Sequence, residues 1–314
     1  MDKVADARSC GVIDCNLEQA QRRYLAEALP HSTQRRIHWS GGSTQVIEAG
    51  NGSPVLLLHG GLGDAFQWAP LMSALAAKYR LIAVDRPGHG LADSFDYRAE
   101  PLLQTATRFI EEVLNEEELA AVPIIANSMG GLWAAAFALQ HPRRTPRLVL
   151  VGSPAGIARP IPALLRLGMA PGLRTLVRRA MTRPTPRSVR SFWNLLVTHP
   201  ERLSENFVVA SAASQLRNHS SWFALLDAAI DVRGMKRELV LGEAWRRLES
   251  PTTFVWGDKD RWAKVCAAEA VVAANPNARL VTIADAGHAP WFDQPEAVAT
   301  AVATALSGSE LRAR

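Results

Sequence analysis

The stretch VPIIANSMGGLWAAAF, residues 122 to 137, decides the fold. A short apolar run ends at Asn127, a serine follows, and two glycines come before an alanine-rich segment with the composition of a helix. This order predicts a sharp strand-to-helix turn that presents the hydroxyl of Ser128 to a substrate. The residues two positions away on each side must be small, because they pack against each other in such a turn. Ala126 and Gly130 meet this requirement, although the common pattern has glycine at the first of these positions.

Short apolar segments recur along the chain and are separated by longer stretches with helical spacing. This alternation is typical of an α/β protein with a mostly parallel sheet flanked by helices. Residues 36–49, which contain two consecutive glycines, instead predict an antiparallel hairpin. The predicted parallel strands are PVLLLH (54–59), RLIAVD (80–85), PIIANS (123–128), RLVLVG (147–152), TTFVWG (252–257) and RLVTIA (279–284).

The alternation is interrupted once, by a long stretch of mainly helical patterns that prolines break repeatedly. Both flanks of this stretch are needed to complete one sheet. We therefore interpret the chain as a sheet core, residues 36–154 and 250–314, with an inserted helical cap, residues 155–249. Residues 1–35 form an N-terminal extension, in which residues 17–29 have helical spacing and predict either a segment that folds onto the body or an interaction arm.

The charge of the chain gives little support to nucleic-acid binding. The 314 residues carry a formal net charge of +5 at pH 7, and no RNA- or DNA-binding motif accompanies it. Residues 155–250 contain 15 Arg plus Lys and 7 Asp plus Glu, so the positive charge is concentrated in the cap. These arginines indicate either solvated helix faces or a field that attracts an anionic substrate.

The three cysteines, Cys10, Cys15 and Cys266, show neither the spacing of zinc ligands nor a disulfide framework. The first residues lack the apolar region of a secretory signal, and no apolar run approaches the roughly 18 residues that would span a bilayer. We therefore expect a soluble cytoplasmic protein with no membrane partner. Its oligomeric state stays open, a homodimer included.

A serine hydroxyl becomes a useful nucleophile only when a base removes its proton and donors stabilise the resulting oxyanion. The amide of Met129, in the first turn of the predicted helix, is one such donor. The loop His59-Gly60-Gly61 follows another predicted strand at the same sheet edge, so the amide of Gly61 is the second candidate. His288 follows the strand RLVTIA and a glycine, which makes it the best candidate for the general base.

The base needs an acid that accepts its N–H and fixes its tautomer. The segment FVWGDKD offers Asp258 and Asp260 after a predicted strand, and we favour Asp260, three residues after the glycine. Asp258 would then be a turn or capping residue. The predicted order is Ser128, Asp260, His288, each after a separate strand, and this is the order of the triad in α/β-hydrolases.

Five motifs carry a resemblance to the α/β-hydrolase superfamily with a helical cap: LLLHGG, VDRPGHGLADS, NSMGG, FVWGDKD and GHAPWFDQPE. The resemblance spans about residues 36 to 306. It implies oxyanion amides on Gly61 and Met129, and an architectural role for Asp85 and its loop. Haloalkane dehalogenases and epoxide hydrolases share this scaffold but use an aspartate nucleophile, which Ser128 replaces here.

The run NSMGG and the tryptophan three residues after His288 are most similar to meta-cleavage-product hydrolases, which split carbon–carbon bonds, and to related carboxylesterases. The resemblance implies a Ser–His–Asp hydrolase that needs no metal or organic cofactor and acts on a small-molecule substrate. Ester cleavage is the commoner chemistry for such a site, so we expect a carboxylesterase first and a carbon–carbon hydrolase second. A hydrolase-like receptor with little turnover is a third alternative.

The expected substrate is an ester of small to medium size with an apolar or aromatic part. Phe192, Trp193, Phe207, Trp222 and Phe223 of the cap are candidates for an apolar lining. A carboxylate on the substrate would meet a cap arginine. The predicted pocket residues are Asn127, Trp133, Trp222, Trp291 and Arg217.

Overall fold

The computed structural model describes residues 16–161, 166, 168, 170 and 172–308. Residues 1–15, with Cys10 and Cys15, and residues 309–314 lie outside this part. The strands are β1 (Thr33–Trp39), β2 (Gly42–Ala49), β3 (Ser53–Leu58), β4 (Tyr79–Val84), β5 (Ile124–Asn127), β6 (Leu148–Val151), β7 (Ile230–Asp231), β8 (Gly234–Met235), β9 (Thr252–Gly257) and β10 (Ala278–Ile283).

Eight of these strands form one sheet in the order β1-β2-β4-β3-β5-β6-β9-β10. The pairs β1–β2 and β2–β4 are antiparallel, and the remaining pairs are parallel. The predicted mostly parallel sheet is therefore confirmed. The helices that accompany it are α1 (Leu17–Ala28), α2 (Ala69–Leu75), α3 (Leu102–Glu116), α4 (Met129–Gln140), α5 (Leu173–Met181), α6 (Pro186–Trp193), α7 (Glu205–Ala229), α8 (Cys266–Ala274), α9 (Pro290–Asp293) and α10 (Pro295–Ser307).

Both faces of the sheet are buried, which explains why its central strands are almost continuously apolar. Successive side chains of a strand point to opposite faces. In β3, Val55 and Leu57 pack into one apolar layer with residues of α1, α2 and α10. Leu56 and Leu58 pack into the other layer with residues of α3, α4 and α8.

The first hairpin begins earlier than the sequence indicated. Trp39 of β1 lies opposite Gly42 of β2, as the two glycines predict, but β1 begins at Thr33, within the range assigned to the N-terminal extension. The reason is that the start of β1 is polar and largely exposed, and its buried side chains are Ile37 and Trp39. An apolar pattern therefore marks only the second half of this strand.

Helix α1 packs onto the body of the protein. Leu17, Tyr24 and Leu25 are buried, and the ring of Tyr24 lies 5.8 Å from that of Phe66 and 5.3 Å from that of Phe207 in α7. The side chain of Asn16 accepts a hydrogen bond from the amide of Glu18 and caps the helix. The structure therefore agrees with the first of the two expectations for this segment, a helix that folds onto the body.

The chain leaves the sheet between β6 and β9, which are adjacent and parallel. This excursion contains α5, α6, α7 and the antiparallel pair β7–β8. It starts from the carboxyl end of β6, so it lies at the sheet edge where Ser128 follows β5. No helix in the described part of the chain is both long and apolar enough to cross a bilayer.

Candidate active site

Ser128 occupies a strained turn between β5 and α4. Its φ of 51° and ψ of −118° lie where residues other than glycine are rarely found. Ser128 is the N-cap of α4, yet its side chain makes no capping hydrogen bond. A serine at a helix start is usually explained by capping. Here that explanation fails, and the side chain instead lines a cavity.

The residues around Ser128 show why small side chains are required. A methyl group on Gly130 would lie 2.4 Å from the carbonyl oxygen of His59, and one on Gly131 would lie 1.8 Å from Oγ of Ser153. Ala126 is different, because it lies within β5 and is fully buried. It pairs with Leu58 of β3 on one side and with Leu150 of β6 on the other. The turn therefore accommodates the alanine that replaces the usual glycine.

His288 and Asp260 form a buried pair. Nδ1 of His288 lies 2.9 Å from Oδ2 of Asp260, and their side chains are 5% and 1% exposed. Oδ1 of Asp260 accepts hydrogen bonds from the amides of Trp262, at 2.7 Å, and Ala263, at 3.1 Å. A carboxylate in this setting only accepts, so Nδ1 of His288 carries the proton and Nε2 is left free to act as a base.

Asp258 does not compete for this role. It is exposed, and its Oδ1 lies 3.4 Å from the amide of Ala286. The structure thus brings Asp260, and not Asp258, to His288. Both acidic residues follow β9, but the amides of Trp262 and Ala263 hold the carboxylate of Asp260 against the imidazole.

Two other histidines at this edge are not available as bases. His59 and His89 are fully buried, and burial lowers the pKa of both, that of His89 to about 3. Their ring nitrogens face backbone groups: Nε2 of His59 accepts from the amide of Arg86, and Nε2 of His89 lies 2.7 Å from the carbonyl oxygen of Gly61. Both rings therefore act as neutral supports of the loops around them.

The glycine loop after β3 lies beside the start of α4. Gly61 and Met129 line the same cavity, and a methyl group on Gly61 would lie 3.6 Å from Cβ of Met129. Met129 is the first residue of α4, so its amide has no acceptor within the helix. Asp85 ties the neighbouring loops together, because its two oxygens accept from the amides of Ala65 and Leu91.

Asn127 and Trp291 line the cavity, and both are also anchored by hydrogen bonds. The side-chain amide of Asn127 donates to the carbonyl oxygen of Val151 at 2.8 Å. Nε1 of Trp291 donates to the carbonyl oxygen of Gln67 at 2.8 Å. Each therefore presents a fixed surface to the cavity.

The side chains that line the cavity are apolar apart from Gln67, Asn127, Ser128, His288 and the indole N–H groups. Among the described residues that line it there is no Lys, Arg, Asp or Glu. Sequence reasoning included Phe192 and Trp193 but missed several members, although Trp262 stands only two residues after Asp260. The large apolar lining side chains that it missed include Leu62, Ile161, Leu196, Leu226, Ile230, Met235 and Trp262.

Three predicted pocket residues lie elsewhere, and these predictions are wrong. Trp133 is fully buried and packs against Phe109 and Tyr97, because its position on α4 faces the interior. Trp222 stacks on His89, with ring centroids 6.1 Å apart. Arg217 lines a separate polar cleft beside α1, so it cannot hold a substrate at Ser128.

Phe207 and Phe223, also expected to line the pocket, are 0% and 1% exposed and belong to the packed interior. Cys266 is a free, exposed thiol. The described residues contain no group of His, Cys, Asp and Glu side chains that could hold a metal ion.

Comparison with known proteins gives a consistent result. A model of the alpha/beta hydrolase family matches residues 55–301. A 2-hydroxy-6-oxononadienedioate/2-hydroxy-6-oxononatrienedioate hydrolase of Pseudomonas putida is 30% identical over 244 residues, which cover 76% of this chain and 82% of that protein.

Two solved structures share the fold at low sequence identity. The naproxen esterase of Bacillus subtilis superposes with a TM-score of 0.72 at 21% identity and covers 91% of this chain and 95% of its own. The meta-cleavage product hydrolase of Pseudomonas fluorescens IP01 gives a TM-score of 0.70 at 20% identity, and the match covers 87% of this chain and 97% of that one. The resemblance noted in the sequence is thereby confirmed, and the chain belongs to the alpha/beta hydrolase family.

Proposed function

We propose that this protein is a serine hydrolase that cleaves neutral carboxylic esters with an apolar or aromatic part. One observation carries the proposal: His288, which is paired with the buried Asp260, lines the same cavity as the strained Ser128. A nucleophile, a base and an acid that orients the base are the three parts that acyl transfer requires.

In this mechanism Nε2 of His288 takes the proton from Oγ of Ser128 while Oγ bonds to the carbonyl carbon of the ester. The amides of Gly61 and Met129 donate to the oxygen that becomes negative. The intermediate collapses, the bond to the leaving alkoxide breaks, and His288 gives that oxygen its proton. Water then attacks the acyl carbon while His288 takes its proton. The bond between that carbon and Oγ of Ser128 breaks, His288 returns the proton to Oγ, and the acid is released.

The lining of the cavity supports a neutral substrate. A charged group brought into an apolar site loses its hydration, and this loss is offset only when a partner of opposite charge is present. The described lining supplies no such partner. We therefore give up the expectation that a cap arginine holds a carboxylate, since Arg217 lines a different cleft.

A carbon–carbon hydrolase is the second candidate, and the names of the relatives favour it. The Pseudomonas putida protein is named for a dioate, a substrate with two carboxylates. A Burkholderia cepacia relative, 28% identical over 264 residues, is named for a dienoate, with one. The absence of Lys and Arg from the described lining is the reason we place ester cleavage first.

The two candidates are separated by their substrates. Ester cleavage predicts steady release of p-nitrophenol from p-nitrophenyl butyrate by the full-length protein, and covalent labelling by a fluorophosphonate. Ser128→Ala should abolish both and leave the folded protein intact. Efficient turnover of a 2-hydroxy-6-oxo-dienedioate, with only slow ester cleavage, would reverse our order. Labelling without turnover of either substrate, together with tight binding of a small apolar ligand, would indicate the receptor alternative.

A further inference from the structure

Arg86 is a fully buried arginine whose guanidinium meets a carbonyl and a ring. Its Nη2 donates to the carbonyl oxygen of Gly60 at 2.6 Å, and the guanidinium carbon lies 4.9 Å from the ring centroid of Trp133. Nε and Nη1 are buried and have no hydrogen-bond partner among the residues that the structure describes. Buried arginines are rare unless they are paired, so this placement needs an explanation.

The guanidinium stays charged despite its burial. Burial lowers the pKa of Arg86 to about 10, which is still well above neutral pH. A cation in a low-dielectric interior interacts more strongly with nearby charges than one in water. Negative charge that develops in the adjoining cavity would therefore be stabilised by this cation, although the cation lies outside the cavity lining.

The carbonyl oxygen of Gly60 accepts hydrogen bonds from three donors. Besides Arg86, the amide of Gly63 donates at 3.2 Å and Nδ1 of His59 lies at 2.9 Å. Nε2 of His59 already accepts from the amide of Arg86, so the neutral ring carries its proton on Nδ1 and donates to Gly60. Arg86 thus acts on this carbonyl directly through its side chain and indirectly through its backbone.

The Gly60 carbonyl and the Gly61 amide belong to one peptide group. In a trans peptide the C=O and N–H bonds point in opposite directions, so donors that fix the oxygen also fix the N–H. Hydrogen bonds to the oxygen polarise the group and strengthen the N–H as a donor. Gly60 and Gly61 both border the cavity at Ser128.

We propose that Arg86 is a positioning residue for the oxyanion site: it orients and polarises the Gly60–Gly61 peptide so that the Gly61 amide donates most strongly when the oxyanion forms. This role rests on the proposed function. Deletion of an oxyanion donor outright typically costs about 10²- to 10³-fold in kcat, and because the Gly61 amide survives here we expect Arg86→Met to cost about 10- to 100-fold.

The test uses Arg86→Met, Arg86→Lys and a matched control, Tyr97→Phe. Tyr97 is buried, and its hydroxyl donates to the carbonyl oxygen of Pro87 at 2.6 Å, so the control removes a hydrogen bond from the same loop without touching Gly60. Each folded variant is assayed for kcat and KM with p-nitrophenyl butyrate. Each is also titrated with a trifluoromethyl ketone, which forms an oxyanion on Ser128, and with the corresponding methylene analogue, which does not.

Arg86→Met should lower kcat with little change in KM. It should weaken the binding of the trifluoromethyl ketone by a similar factor, while the methylene analogue should bind as before. Arg86→Lys keeps a charge without the planar fork and should show an intermediate loss. Tyr97→Phe should lower thermal stability and keep the wild-type ratio of the two affinities.

The proposal would be overturned if Arg86→Met lost the same factor in affinity for both compounds, or if its kcat were unchanged. Should that variant fail to fold, an unchanged affinity ratio in Arg86→Lys overturns it instead. A wild-type protein that neither hydrolyses the ester nor reacts with a fluorophosphonate removes the proposed function, and this role with it. If the wild type is active and the Arg86 variants keep its kcat and its affinity ratio, only the proposed role of Arg86 is removed.

Discussion

Nδ1 of His288 lies 2.9 Å from Oδ2 of Asp260, while Asp258, two residues earlier on the same loop, faces the surface. Asp260→Asn should therefore reduce kcat for p-nitrophenyl butyrate by up to about 10⁴-fold, because an amide would favour the wrong tautomer of the imidazole. Asp258→Asn is the matched control and should stay close to wild type. Collapse of activity in the control, with Asp260→Asn active, would contradict this assignment of the acid.

Stability should depend on pH through Asp64, a fully buried carboxyl whose Oδ1 accepts from the amide of Gly90 at 2.7 Å. Burial, with the nearby Asp85 as a second cause, raises the pKa of Asp64 to about 8. Between its ordinary pKa of about 4 and this raised value, the folded protein holds a proton that the unfolded chain releases. The stability from Asp64 is therefore fully present below about pH 4 and is lost as pH rises through about 8.

Asp64→Asn removes this titration, since an amide does not ionise. Thermal melts between pH 5 and 9 should show the wild type losing stability relative to the variant towards the alkaline end. Parallel curves for the two proteins over this range would show that Asp64 keeps the same charge when the protein unfolds.

The length of acyl chain that the cavity at Ser128 accepts should depend on Leu226, a residue of α7 that lines this cavity. Leu226→Trp fills part of this space, so kcat/KM for p-nitrophenyl octanoate should fall by about 10-fold or more, with a smaller effect on the acetate. Leu216→Trp on the same helix is the control, because Leu216 is 37% exposed and lines the other cleft. Equal effects of Leu226→Trp on both esters would place the acyl chain elsewhere.

The buried carboxylate of Asp293 joins the cap to the loop that carries His288. It accepts from the amides of Thr198 and His199, residues of the cap, and from the amide of Gly287, directly before His288. Asp293→Asn has one acceptor oxygen fewer and should lower the free energy of unfolding by about 1–3 kcal/mol. Because it frees the loop of His288, kcat should fall as well.

Chemical denaturation and ester kinetics measure the two effects of Asp293→Asn. Glu296→Gln, at an exposed position in the first turn of α10, is the control and should change stability by less than about 1 kcal/mol. An Asp293→Asn variant with wild-type kcat and lowered stability would limit Asp293 to a structural role.

The sequence predicted the candidate triad because each member follows a strand, and the carboxyl ends of parallel strands meet at one edge. It could not predict the faces of the helices. Ten of the twelve residues of α4, Trp133 among them, are buried, so no polar stripe marks its orientation. Helix α7 contacts α1, and its buried side chains belong to both apolar layers, which likewise conceals the faces of Trp222 and Arg217.

Asp293 lies in a recognised motif, but its partners on the cap come from a loop nearly a hundred positions away. Nothing in the local pattern specifies where that loop folds. The contact between Arg86 and Gly60 was hidden for a similar reason, since the two residues belong to loops after different strands that become neighbours only in the sheet.

The packing of Tyr24 between Phe66 and Phe207 has a practical consequence for anyone who shortens this protein. The segment recognised as the family begins at residue 55, after α1, β1 and β2. A fragment cut at that limit would lose two strands of the sheet and would expose the aromatic rings of Phe66 and Phe207, which the first helix covers. The smallest piece worth expressing therefore starts ahead of Leu17, and a tag placed at that end needs a spacer to keep it clear of the helix.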